Sequence, residues 1–190
     1  MTYYGAREIA DSFRTVRLNT IMLAEEIPEN RYSFRAAPET RSVAEMLSHL
    51  AITPRFQHQI HGVERRTSFE GYDFPKVFSE ATTEEKRPKS KAEILEALQT
   101  EGEKFASWVE TLSEEVLAEQ FRMPPGATPA TKTRFEMLLS VKEHEMHHRG
   151  QLMLIQRMLG IVPHLTRRMQ ERIAEIAQSS GSTRRSPVSS

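Results

Sequence analysis

The sequence predicts an all-α fold: a four-helix bundle with an additional C-terminal helix. Three observations carry this expectation. Apolar residues recur at steps of three and four along most of the chain, three separate capping boxes open helical segments, and no strand-like alternation is apparent upstream.

Residues from about Tyr4 to Ile27 form the first expected helix, with Ile9, Phe13, Val16, Thr20 and Leu23 on one side; Pro28 stops it. The second opens at the capping box Ser42-Val43-Ala44-Glu45, carries Met46, Leu47 and Leu50, and runs to about Gly62. Pro54 falls inside it and is expected to kink the helix or shift its end. Residues 62–89 read as a long connection, too long for a turn, whose aromatics Phe69, Tyr72, Phe74 and Phe78 pack part of it down.

Ser90-Lys91-Ala92-Glu93 opens the third helix, buried through Ile94, Leu95, Leu98, Phe105, Trp108, Val109 and Leu112. A short helical turn over 113–120 and Pro/Gly punctuation over 121–131 follow. Thr133-Arg134-Phe135-Glu136 opens the longest helix, which ends at Gly160. Pro163 then allows a fifth helix with Leu165, Met169, Ile173 and Ile176 as its stripe. The expected organisation is a bundle over 1–163, a C-terminal helix over 164–178 and a disordered polar tail over 179–190, with no internal repeat.

Composition narrows function. Of the 190 residues, 26 are Lys or Arg and 26 are Asp or Glu, so no net charge favours nucleic acid or an anionic membrane. No apolar run approaches the roughly 20 residues of a spanning helix, and the N-terminal stretch lacks the apolar core of a signal peptide. The expected location is cytoplasmic, with no membrane or nucleic-acid partner. There is no cysteine, so any metal must be held by His, Asp or Glu.

Residues 144–151, HEMHHRGQ, are the chemically informative stretch. On a helix, Met137, Val141, His144, His148, Leu152, Ile155 and Leu159 form one stripe facing the core. His144 and His148 are then one turn apart on one face, where two imidazoles can share a metal. The plain alternative is two satisfied core histidines. It is weakened because two neutral imidazoles in an apolar layer each need a partner, and charging both is costly. A third ligand must come from another helix; His49 is the best placed, since His58 and His61 lie beyond Pro54 and His164 starts the last helix. His147 lies about 60° off the stripe beside Gln151, and both are candidates to support a ligand from behind.

The same letters spell H-E-x-x-H, the zinc-protease pattern with Glu145 as general base. Its extended form fails, because Gln151 and Leu154 stand where a second Gly and His are needed, and Glu145 is expected to face away from the stripe. A three-histidine site leaves an ion with an open position, which favours a Lewis acid over a closed structural site. The walls of such a site are expected from the segment after the second helix and from 121–131, with Tyr72, Arg65, Arg66 and Arg122 as substrate-holding candidates. Gly150 reads as permitting close helix approach.

H-x-x-H-H-R-G-Q-L from His144 to Leu152, followed by Leu159-Gly160-Ile161-Val162-Pro163, resembles the closing signature of the DinB/YfiT family. The single histidine in M-L-S-H-L, His49, is similar to that family's second-helix histidine. The resemblance implies a four-helix bundle, often a homodimer, with His49, His144 and His148 holding zinc, nickel or a similar divalent ion. It also implies small-molecule chemistry in which the metal activates a low-molecular-weight thiol or water, as in thiol S-transferases. The alternative function is a non-catalytic, stress-related metal-binding dimer. The departures from the pattern are Pro54 and the segment after Pro163.

Overall fold

The computed structural model describes residues 4–183, with side chains to residue 179. Its frame is four long helices: α1 (Ala6–Glu26), α2 (Val43–His58), α4 (Lys91–Glu110) and α6 (Arg134–Met158). Between them lie α3 (Phe74–Lys86), the short α5 (Glu114–Ala118) and strands β1 (Gln120–Arg122) and β2 (Thr131–Thr133); α7 (His164–Thr183) follows. Both α1 and α2 pack on α4 and on α6. The two helices consecutive in the chain therefore face each other across the bundle rather than side by side. Tyr32 fixes the crossover between them: its ring is buried and its hydroxyl donates to the Ala24 carbonyl at 2.9 Å.

The three expected capping boxes are formed. Ser42, Ser90 and Thr133 each accept from the backbone N–H three residues on, and Glu45, Glu93 and Glu136 return the bond. Each satisfies two of the four orphan donors at a helix start. At the other end of α6, Gly160 takes φ +79°, Ile161 N–H bonds the Gln156 carbonyl at 2.8 Å and Gly160 N–H bonds Arg157 at 3.0 Å. This is a Schellman closure, and the positive φ is why glycine stands there.

The core has two main apolar clusters. One gathers Leu23, Ile27, Leu47, Leu50, Ile94, Leu98, Leu152 and Ile155; the other gathers Ile9, Phe13, Phe105, Val109, Leu138 and Val141. A fully buried side chain of this size contributes about 1.5–3 kcal/mol. Between the clusters lies a polar layer built on Arg17. Its guanidinium bonds both Glu145 oxygens (2.8–3.0 Å), the Leu98 carbonyl (2.8 Å) and the Leu50 carbonyl (2.8 Å), so one α1 side chain touches α6, α4 and α2.

The Leu50 contact explains Pro54. Proline at 54 has no N–H to give the carbonyl four residues earlier, which is Leu50. Arg17 supplies the missing donor, and α2 runs on through a buried Pro54 to His58 and a wide turn at Gln59–Val63.

Four expectations are corrected or refined. Residues 62–89 are not simply a connection: Asp73 caps α3 by accepting from Lys76 N–H at 3.0 Å, and α3 packs on α2. The segment around 121–131 is flanked by a two-stranded antiparallel ladder pairing Phe121 with Lys132. Glu145 does turn away from the histidine stripe, but inward to Arg17, where it is 1% exposed. Helix α7 continues past residue 178 to Thr183; residues 184–190 of the expected tail lie outside the described residues. Among the described residues, no helix is long and apolar enough to cross a membrane.

Candidate metal centre

The polar layer also contains the three histidines. His49 comes from α2, and His144 and His148 from successive turns of α6, which packs against it. His49 Nε2 lies 3.0 Å from His144 Nε2, and His148 Nε2 lies 3.1 Å from the same atom. All three ligand atoms fall within 4.8 Å of one another. Nitrogens on one zinc-like ion, each at about 2.1 Å, would sit roughly 3.4 Å apart in tetrahedral geometry.

The outer ring nitrogens decide what the inner ones can do. His49 Nδ1 lies 2.5 Å from Glu85 Oε1, an acceptor, so its N–H points outward and its Nε2 carries a lone pair. His148 Nδ1 lies 2.8 Å from Gln151 Oε1, with the same consequence. Two lone pairs therefore converge on His144 Nε2, which has at most one proton to offer both. His144 Nδ1 is buried and without a partner. A cation at the centre answers all three nitrogens at once, so the donor set fits a divalent transition metal.

Electrostatics keep the two α6 rings neutral. Burial pushes the His144 pKa down to about 4, and His148 and His49 add to the shift. Burial also lowers His148, against a smaller opposing effect of its Gln151 bond. For Glu85, burial works to raise the pKa, but hydrogen bonds from His49 and Arg41 outweigh it, and the group ends below the usual carboxylate range. Glu85 is thus a charged carboxylate, held on its other side by Arg41 Nε at 2.8 Å.

The remaining candidates separate clearly. His147 is exposed and meets the Gln151 amide at 3.3 Å, one step removed from His148. His58 packs on Trp108, His61 accepts from Arg134 at 2.7 Å, and His164 pairs with Asn19 at 3.1 Å. Arg66 stacks 4.9 Å from Tyr72, Arg122 pairs with Glu70, and Arg65 holds φ +48° in the same lobe. Arg66 and Tyr72 thus engage each other, and Arg122 engages Glu70. Glu85 was missed by sequence reasoning because α3 was, and Arg41, just before the Ser42 cap, because its partner lies on α3. Glu145 cannot act as the protease pattern requires, since both its oxygens are bound by Arg17.

A family model, the DinB superfamily, matches residues 12–152. That span is most of the chain and includes His49, His144 and His148, and the protein belongs to the DinB superfamily. Solved structures agree on the fold. A DinB-like protein from Bacillus subtilis is 24% identical (TM-score 0.55), covering 80% of this chain and 92% of its own. YfiT from Bacillus subtilis, described as a probable metal-dependent hydrolase with an unusual four-helix bundle topology, is 17% identical (TM-score 0.62), covering 85% and 91%. A Streptococcus pneumoniae protein is 21% identical (TM-score 0.60), covering 83% and 93%. No curated protein matches the chain.

Proposed function

We propose that the protein is a metal-dependent enzyme acting on small molecules, with one divalent ion held by His49, His144 and His148. The observation that carries this reading is the convergence of three Nε2 atoms, two of them anchored from behind by Glu85 and Gln151. Among the described residues the cluster contains three histidines and no fourth ligand. Glu85, the nearest carboxylate, is committed to His49 and Arg41. Three ligands and a partly exposed rim leave a position for substrate, which supports a catalytic rather than a sealed structural role.

A divalent cation held there would supply Lewis acidity, lowering the pKa of a coordinated thiol or water so that it attacks an electrophile at neutral pH. The chain's part is to present three imidazole nitrogens and to fix the orientation of two of the rings. With no cysteine in the chain, a thiol would have to be a low-molecular-weight co-substrate, as in thiol S-transferases. The similarity to YfiT, a probable metal-dependent hydrolase, supports the hydrolytic form of the same chemistry. The reading includes a cytoplasmic homodimer; the exposed Met169, Ile173 and Ile176 stripe on α7 supports self-association.

Elemental analysis of protein purified without chelator tests the metal. About one transition-metal ion per chain is expected. His148→Ala should lose it and His58→Ala should keep it; equal retention by both would refute the ligand set. Metal-loaded protein is then offered a panel of cellular thiols with an electrophile, and separately ester and amide substrates. Metal-dependent turnover of neither kind would rule out the enzymatic reading.

A further inference from the structure

Helix α3 is weakly attached to the bundle. Glu85 is its one buried residue, at 6% exposed, while Phe74 and Phe78 stand 40% and 68% exposed. Val77 and Ala81, two turns and one turn before Glu85, are only half-buried. Little apolar area therefore holds α3 against α2. Both oxygens of Glu85 are engaged instead, Oε1 with His49 Nδ1 at 2.5 Å and Oε2 with Arg41 Nε at 2.8 Å. A carboxylate in a buried seam is costly unless paired. The seat of α3 and the orientation of the His49 ring thus depend on each other.

We infer that Glu85 is the positioning residue of the metal centre, and that through it metal binding is coupled to the docking of α3. This rests on the three-histidine metal reading above. By accepting from Nδ1–H, the carboxylate fixes the ring and leaves the Nε2 lone pair aimed inward, raising ligand basicity. A cation on Nε2 makes the Nδ1 proton a stronger donor, which tightens its bond to Glu85. An occupied site holds α3 harder, and by linkage a docked α3 raises metal affinity by the same factor.

The test uses full-length protein stripped by chelator and titrated with Zn(II) against a chromophoric competitor. Backbone hydrogen exchange is followed with and without zinc. Glu85→Gln is expected to bind zinc roughly 10- to 100-fold more weakly than wild type, with unchanged helix content. In wild type, zinc should slow exchange across residues 74–86, and the slowing should shrink in Glu85→Gln. Arg41→Gln removes the second tie but leaves the His49 bond, so it should shift both readouts the same way by less; it carries the test if Glu85→Gln does not fold. Zinc affinity within two-fold of wild type in the folded Glu85→Gln (or in Arg41→Gln, if that is the one that folds) would overturn the inference. So would α3 exchange indifferent to zinc in wild type. Wild-type protein that binds no divalent ion would instead overturn the metal reading itself.

Discussion

At the scale of single residues, two carboxylates near the same histidines have opposite roles. Glu145 sits inside H-E-x-x-H, yet its oxygens are fully taken by Arg17. Glu85, thirty-six positions from His49 in the chain, touches it. Glu145→Gln breaks a buried ion pair and should cost about 3–5 kcal/mol in urea unfolding while leaving metal content unchanged in the folded protein. A protease base would behave in the reverse way, with stability kept and activity lost. Arg17→Met should cost at least as much, because the Leu50 carbonyl is orphaned along with Glu145. Arg17 was readable in principle: it stands four residues after Phe13 and three before Thr20, on the core stripe of α1, where an arginine needs a partner. The partner's identity was not readable.

At the scale of elements, the capped and strongly periodic helices were legible, because cap chemistry and the 3.6 period are local. Helix α3 was not, since its inner face offers Val77, Ala81 and then Glu85, too polar a stripe to stand out. The β1–β2 ladder, with three residues a strand, is too short to show alternation. Close packing of α1 on α4 gives another expectation. A Cβ on Gly102 would lie 3.0 Å from Arg17 Cγ and 3.4 Å from Cδ. Alanine in mid-helix ordinarily gains about 1 kcal/mol over glycine. Here Arg17 is clamped by three helices and cannot yield, so overpacking of about 1–3 kcal/mol should win. Gly102→Ala should therefore lower the urea midpoint; a rise would show that Arg17 relaxes.

For the whole molecule, acid stability should be set first by histidines. Burial and the Arg134 charge push the His61 pKa down to about 4, and His144 is driven equally low. In the unfolded chain both titrate near the ordinary value of about 6.5. Between those values the unfolded state binds protons the native state refuses, so stability is full above pH 6.5 and falls as pH drops toward 4. Carboxylates with lowered pKa, such as Glu85 and Glu26, stabilise the fold above their unfolded value and lose that contribution only below it, so their loss comes later in acid. The Tm of chelator-treated protein should fall steadily from pH 6.5 to 4.5, less steeply in His61→Phe; a flat profile would contradict this. Oligomeric state is checked by light scattering, where Ile173→Glu should convert the expected dimer to monomer.

The sequence by itself determined the helical class, the starts of the three helices with capping boxes, the stop at Gly160 and that His144 and His148 share one face of their helix. These are set by interactions within a few residues. Only the tertiary structure decided that α1 and α2 oppose each other, that Arg17 repairs the carbonyl Pro54 leaves unpaired, and that Glu85 reaches His49. Those contacts join groups tens of positions apart, and a chain's local pattern does not encode which distant partner a buried charge or ring nitrogen will meet.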